Sequence, residues 1–249
     1  MIYNSFRICN IEKKDIYYNI IDKLQHLIGA EIYRKELDDK MEAIFISGPH
    51  GCGKTALIKH LSDNKNMFVL DNFKINFIEE LPTISKMNVF EECLFRLYHR
   101  FYTAKQALLK CKDVSDRKIL VVDRSIYDSM VYNKVEYSLG RMTLPQYNKL
   151  TEIATNCLEI LNPNTVILNP DPRQIVNYLK KRQELGERKE RDKFCAREDS
   201  LEYISMMNKE YTKFYPKQNI LAIRNVEEGQ KDIYQWIEEN IITKQIYVR

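Results

Sequence analysis

Residues 43–55, AIFISGPHGCGKT, join a short apolar run to a glycine-rich segment. Apolar, partly β-branched residues before a glycine are typical of a buried parallel strand that enters a loop. Residues 48–55 fit the pattern G-x-x-x-x-G-K-[ST], whose backbone N–H groups curl around a phosphate at a helix N-terminus. Only seven glycines occur in 249 residues, and three of them lie here. The stretch predicts a strand, a phosphate-binding loop and a helix that begins near Lys54.

The side chains of this loop suit a nucleoside triphosphate bound with Mg²⁺. In such loops the lysine, here Lys54, reaches the β- and γ-phosphates, and the hydroxyl of the next residue, Thr55, binds the metal. Cys52 stands at a variable position beside Lys54 and a helix N-terminus, which predicts a lowered pKa for its thiol. The residues that we expect to contact ATP are Gly48, Pro49, His50, Gly51, Cys52, Gly53, Lys54 and Thr55.

Strand and helix patterns alternate along the rest of the chain. Further buried strands are predicted at 67–70, 119–122, 165–168 and 219–223, and helices at about 86–112, 126–139, 143–161, 172–185, 198–214 and 229–242. Such alternation is typical of βαβ units. We therefore predict an α/β fold of three layers, with a five-stranded parallel sheet and helices on both faces, over residues 43–249. Apolar spacing at 14–40 predicts that residues 1–42 form an N-terminal helical extension.

Composition and charge exclude several classes of protein. A total of 39 Lys and Arg against 35 Asp and Glu gives a net charge of +4, which suits anionic substrates but does not predict a nucleic-acid partner. No run approaches the ~20 apolar residues of a membrane helix, and the first residues lack the order of a signal peptide. Six scattered cysteines and four histidines show no metal-ligand spacing. We expect a cytosolic or nuclear protein with a small-molecule substrate and no membrane partner, and leave open a homodimer.

An acidic residue, Asp123, follows the apolar strand predicted at 119–122. Acids at the carboxyl end of a sheet strand organise Mg²⁺ beside a phosphate loop. The run Asp123-Arg124-Ser125-Ile126-Tyr127 resembles the deoxynucleoside kinase family, and the related thymidylate kinases also carry Asp-Arg here. The resemblance continues through Asn169-Pro170-Asp171-Pro172 and the helix at 200–211, so that it covers about residues 43–226. It implies a P-loop kinase fold that uses ATP and Mg²⁺.

The same resemblance implies an arginine-rich lid, here at about 180–197, and a catalytic base. Guanidinium groups in the lid stabilise the transferred phosphoryl group, and the candidates here are Arg182, Arg188 and Arg191. The base stands just after the second strand, where Asp71 lies nearest, with Glu79 and Glu80 as rivals. Arg124 is expected to assist by holding this carboxylate or the oxygens of the sugar.

This chain departs from the family pattern at the residues that recognise the nucleobase. Family members use a Phe-Gln pair and a downstream arginine on the helix before the second acid. Here Phe90 is followed by Glu91 and Cys93 stands at the glutamine position, whereas Arg100 falls at the arginine position and Arg96 lies one turn earlier. We take Glu91, Arg96 and Arg100 as candidates for substrate binding. The identity of the nucleobase stays open.

Three functions are consistent with this set of residues. The leading hypothesis is ATP–Mg²⁺-dependent phosphorylation of a deoxynucleoside at its 5′-hydroxyl, with thymidine as one candidate acceptor. The nearest alternative is a nucleoside monophosphate kinase of the thymidylate type, which Asp123 and the long charged lid favour. An alternative from another class is a protein that binds nucleotide without catalysis and acts through a partner surface.

Overall fold

The computed structural model describes residues 43–64, 68–70, 88–110, 119–186, 196–215, 217 and 219–242. The predicted extension at 1–42 lies outside these residues. So do the predicted base Asp71, its rivals Glu79 and Glu80, and the lid arginines Arg188 and Arg191. Within the described ranges, no helix has both the length and the apolar character needed to cross a membrane.

Strands and helices alternate in this part of the chain as predicted. The strands are β1 Ala43–Ser47, β2 Phe68–Leu70, β3 Ile119–Asp123, β4 Asn164–Leu168 and β5 Ile220–Ile223. The α-helices are α1 Lys54–Asp63, α2 Val89–Lys110, α3 Ile126–Ser138, α4 Leu144–Leu161, α5 Pro172–Glu184, α6 Leu201–Thr212 and α7 Val226–Ile237. A 3₁₀ turn, Ala196–Asp199, precedes α6, and a π-helical turn, Glu238–Ile242, follows α7.

The five strands form one parallel sheet in the order β2-β3-β1-β4-β5. This arrangement confirms the predicted five-stranded parallel sheet. In the register of β1 and β3, Phe45 pairs with Val122 and Ile46 pairs with Asp123. Because parallel strands end at the same edge of a sheet, the glycine-rich loop after β1 and the residues after β3 lie side by side.

Helices cover both faces of the sheet, since successive side chains of a strand point to opposite sides. Phe45 belongs to a buried core that β1 and β3 share with α2 and α4. Its neighbours Ile44 and Ile46 belong to a second core with α1, α5 and α7. A third cluster of buried side chains joins α3 to α6, centred on Tyr132, Tyr203 and Tyr211. The predicted three-layer architecture is confirmed.

Candidate active site

The glycine-rich loop, residues 48–53, is shaped by glycines in left-handed backbone conformations. Gly48 has φ 144°, and a β-carbon there would lie 2.1 Å from the carbonyl oxygen of Leu168. No other residue fits at this approach to β4. Helix α1 begins directly after Gly53, and no side chain of the described residues caps its first turn. Its first N–H groups are thus available to an anion, which is the strand-loop-helix context that the sequence predicts.

Lys54 lies inside this loop. Its ammonium donates hydrogen bonds to the carbonyl oxygens of Gly48 and Pro49, at 2.9 and 2.7 Å. Burial lowers the pKa of Lys54, and the nearby charge of Arg124 acts in the same direction. The charges of Asp128 and Asp123 act against this shift. Lys54 is therefore within electrostatic reach of the acid at the end of β3.

Cys52 differs from its prediction. The side chain is 3% exposed and is part of the core beneath the loop. Burial raises the pKa of the thiol, and this effect outweighs the opposing charge of Lys54. The predicted lowering of the pKa is wrong, because the thiol packs into the core instead of facing the anion site.

Thr55 and Asp123 are both exposed at the carboxyl edge of the sheet, on α1 and at the end of β3. They offer a hydroxyl and a carboxylate, and hard oxygen ligands of this kind would suit Mg²⁺ beside the oxygens of a bound phosphate. The residues present therefore fit the metal that the sequence analysis predicts.

Arg124 adopts a backbone conformation that is unusual for a residue with a side chain. Its φ is 75°, and its N–H donates to the carbonyl oxygen of Ile46 at 2.9 Å. Its guanidinium donates to the carboxylate of Asp128 at 3.0 Å. Residues in such conformations cost of order 1–3 kcal/mol and cluster at functional sites. The turn at Arg124 aims a cation at the space beside the glycine-rich loop.

Asp128 links the glycine-rich loop to the turn at Arg124. This residue was not identified from the sequence. The carboxylate is fully buried. Besides Arg124, it accepts hydrogen bonds from the N–H of Gly48 at 3.4 Å, the N–H of Ser125 at 2.9 Å and the hydroxyl of Tyr211 at 2.9 Å. Asp128 thus connects the loop after β1, the loop after β3 and helix α6.

The charge of Asp128 is stabilised by its cationic neighbours. Burial alone would raise the pKa of this carboxyl, but Arg124, Arg100 and Lys54 hold it below the usual value. One local signal was present in the sequence. Ser125 and Asp128 form a capping box at the start of α3, which is readable as S-x-x-D before a helix.

Three arginines surround the ring of the buried Tyr132, and we call this group the arginine cluster: Arg96, Arg100 and Arg124. Their guanidinium carbons lie 5.5, 5.4 and 6.0 Å from the ring centroid. Guanidinium groups over an aromatic face are attracted by its quadrupole. Arg100 also donates to the Ser129 hydroxyl at 2.7 Å. The structure therefore brings together the predicted substrate residues Arg96 and Arg100 with the predicted catalytic residue Arg124.

The remaining described candidates are Glu91 and Arg182. Glu91 accepts a hydrogen bond from the N–H of Asn88 at 3.0 Å, which caps the start of α2. Arg182 is half-buried in the last turn of α5, one turn after Leu179. The side chain of Leu179 packs against the glycine-rich loop, since a β-carbon added at Gly51 would lie 2.7 Å from it. Their predicted contacts with substrate and phosphate stay predictions.

The glycine-rich loop at the carboxyl edge of a parallel sheet, with helices on both faces, defines the P-loop kinase class of α/β fold. A family model described as deoxynucleoside kinase matches residues 44–246. The chain belongs to this family, and the predicted resemblance is confirmed. A comparison with curated proteins found no match.

Solved structures support the same fold. A deoxyadenosine kinase from M. mycoides with products dCMP and a flexible dCDP bound matches with a TM-score of 0.55 and 20% identity, over 79% of this chain and 99% of that chain. The same kinase with bound dATP matches with a TM-score of 0.57 and 17% identity, over 78% of this chain and 98% of that chain. At these identities the likeness concerns the fold.

Proposed function

We propose that the protein transfers the γ-phosphoryl group of ATP to the 5′-hydroxyl of a deoxynucleoside. One observation carries this proposal: the buried carboxylate of Asp128 accepts hydrogen bonds both from Gly48 of the glycine-rich loop and from Arg124 of the arginine cluster. These hydrogen bonds support the proposal because they link the residues proposed for the phosphate donor to those proposed for the acceptor. Phosphoryl transfer requires this kind of fixed alignment, because catalysis rests on positioning and charge stabilisation.

The donor side consists of residues that suit a triphosphate. The N–H groups of the loop and the first turn of α1 bind the phosphates, and Lys54 turns from its carbonyl partners to the β- and γ-oxygens. Thr55 and Asp123 would hold the Mg²⁺, which would supply charge neutralisation when bound. The low-dielectric setting of the buried Lys54 strengthens its attraction to phosphate.

We assign the acceptor side to the arginine cluster and to the predicted base. Asp71 takes the proton of the 5′-hydroxyl, and Arg124 orients the acceptor beside the donor. Arg96 and Arg100 bind the acceptor, Glu91 adds a polar contact, and the lid arginines Arg182, Arg188 and Arg191 stabilise the transferred group. The fixed positive charge matches the negative charge that spreads over the non-bridging oxygens.

A panel of acceptors tests the proposal. Deoxyadenosine, deoxycytidine, deoxyguanosine and thymidine, each with and without a 5′-monophosphate, are incubated with γ-labelled ATP and Mg²⁺. We expect label on at least one deoxynucleoside. Lys54→Ala should lower this turnover at least about 100-fold, since it removes a cation made for the transferring phosphate. Lys59→Ala is the matched control, because Lys59 is exposed on the same helix.

A nucleoside monophosphate kinase is the second candidate. The three guanidinium groups around Tyr132 favour it, because an acceptor that carries a phosphate uses bidentate arginines. Label on monophosphates alone would replace the first proposal by this one. Binding of ATP without any transfer would leave a nucleotide-binding protein that acts through a partner.

A further inference from the structure

The side chain of His50 links the glycine-rich loop to the 3₁₀ turn before α6. Its Nε2 lies 2.6 Å from Asp199 Oδ1, and its Nδ1 lies 3.7 Å from Glu198 Oε2. His50 stands at a variable position of the loop pattern, so phosphate binding does not require a histidine there. The contact joins residues 149 positions apart in the chain.

Burial favours the neutral form of His50 in this contact. The imidazole is 16% exposed, and burial lowers its pKa despite the charges of Glu198 and Asp199. A neutral ring with its proton on Nε2 donates to Asp199, which leaves Nδ1 without a hydrogen bond among the described residues. One charge-assisted hydrogen bond therefore anchors the turn on the loop.

The neighbouring acid, Glu198, extends the contact to the arginine cluster. Its side chain is 3% exposed and accepts a hydrogen bond from Arg96 of α2 at 3.4 Å. Arg96 in turn lies over the ring of Tyr132. Asp199 thus contacts the glycine-rich loop through His50, and Glu198 lies between His50 and Arg96 of the arginine cluster.

The turn that carries both acids is fixed at its far end. Ser200 caps α6 by accepting a hydrogen bond from the N–H of Tyr203 at 3.1 Å, and Tyr203 donates to the buried Glu136 at 2.8 Å. The cap of Ser200 and the hydrogen bond of Tyr203 thus hold the C-terminal end of the turn at the start of α6.

We infer that His50 is a positioning residue that holds Asp199 and Glu198, and through Glu198 the guanidinium of Arg96, in register with the glycine-rich loop. The inference rests on the proposed function, because it takes the loop as the donor site and the arginine cluster as the acceptor site. A change in the relative position of the two sites slows phosphoryl transfer more than it weakens the binding of either substrate.

The first test separates kcat from KM with the acceptor that the panel identifies. We expect His50→Ala to lower kcat about tenfold while the KM for ATP stays within about threefold. His50→Gln should recover most of the rate, because the glutamine amide can donate to Asp199. The matched control is His60→Ala, since His60 is exposed on α1 and should leave kcat unchanged. A kcat in His50→Ala equal to that of His60→Ala would overturn the inference.

A double-mutant cycle tests the partner. His50→Ala combined with Asp199→Ala should be no slower than the slower single variant, because both remove the same contact. Losses that multiply would overturn the assignment of Asp199.

Hydrogen exchange of the free protein keeps this inference separate from the proposed function. We expect the amides of residues 196–204 to exchange about fivefold faster in His50→Ala than in the wild type or His60→Ala. Unchanged exchange would overturn the contact, and faster exchange with a wild-type kcat would overturn the positioning role. A wild type that labels no acceptor would contradict the proposed function, and the exchange data would still report on the contact.

Discussion

The glycine-rich loop and the arginine cluster meet at one edge of the sheet, yet they are held in place by different means. The loop depends on backbone conformation, since Gly48 approaches the carbonyl of Leu168 too closely for any side chain. The cluster depends on side chains from α2, α3 and the turn after β3, arranged around the ring of Tyr132. A backbone constraint cannot be adjusted by a neighbour, whereas a set of side-chain contacts can be altered one member at a time. Asp128 is the point at which the two kinds of constraint meet.

The largest expected effect comes from removing the Asp128 carboxylate, which links the glycine-rich loop to the arginine cluster. Asp128→Ala leaves the Arg124 cation, the Tyr211 hydroxyl and two backbone N–H groups without their buried acceptor. We expect the free energy of unfolding to fall by about 3–5 kcal/mol in urea titrations. Glu202→Ala, at an exposed acid on α6, is the control and should change it by about 0.5 kcal/mol or less. A loss of only about 1 kcal/mol in Asp128→Ala would contradict the central role of this carboxylate.

Gly48→Ala tests the backbone half of the comparison. A β-carbon there meets the Leu168 carbonyl oxygen at 2.1 Å, and a backbone atom cannot move aside. We expect a loss of about 2–3 kcal/mol in stability and the loss of ATP binding, measured by titration with a fluorescent nucleotide. Gly140→Ala is the matched control: its φ is 68° and no atom lies within 4 Å of the added carbon, so only the conformational term of about 1 kcal/mol remains. Equal losses in the two variants would contradict the steric argument.

Tyr132→Leu tests the side-chain contacts that hold the arginine cluster. The change removes the aromatic face under three guanidinium groups, and each such contact contributes about 0.5–1 kcal/mol. We expect kcat/KM for the best acceptor to fall about tenfold, with a loss of stability of about 1–2 kcal/mol. Tyr132→Phe keeps the face and should retain most of the activity. If the phenylalanine variant were as slow as the leucine variant, the hydroxyl and not the face would organise the cluster.

The smallest expected effect is on the pH dependence of stability. The folded state lowers the pKa of His50 below its usual 6.5, with Glu198, Asp199 and Arg124 as the charged groups that face it. The unfolded chain therefore binds the extra proton first as pH falls below 6.5, so stability due to the neutral ring is complete above 6.5 and declines below it. His50→Gln should flatten this part of the stability curve, measured by thermal unfolding from pH 7.5 to 5. A slope of opposite sign would show a raised pKa.

The sequence predicted what short-range patterns control. Strand positions were correct to within one residue at each end, because buried parallel strands are continuous apolar runs followed by turn residues. The place of Asp123 and Arg124 beside the glycine-rich loop follows from parallel strands that end at one edge.

The missing parts of the site depend on contacts between distant segments. Tyr211 reaches Asp128 across 83 residues, and Glu198 reaches Arg96 across 102. No periodicity within a window of one helix contains such a contact. The error at Cys52 has the same origin, because the pKa of a thiol depends on the core packed over it, and that core includes residues of α5 and α7. The capping box at Ser125 shows that a closer local analysis would have found Asp128 but not its partners.

The hydrogen bonds of Asp128 also set an order in time. Gly48 lies 80 positions before this carboxylate and Tyr211 lies 83 positions after it. Translation adds about 5–20 residues per second, so roughly 4–17 s pass between the synthesis of Asp128 and that of Tyr211. During this interval the glycine-rich loop and the turn at Arg124 have already been made, but the helix that seals their shared acid has not. The site is therefore completed only after Tyr211 has been synthesised.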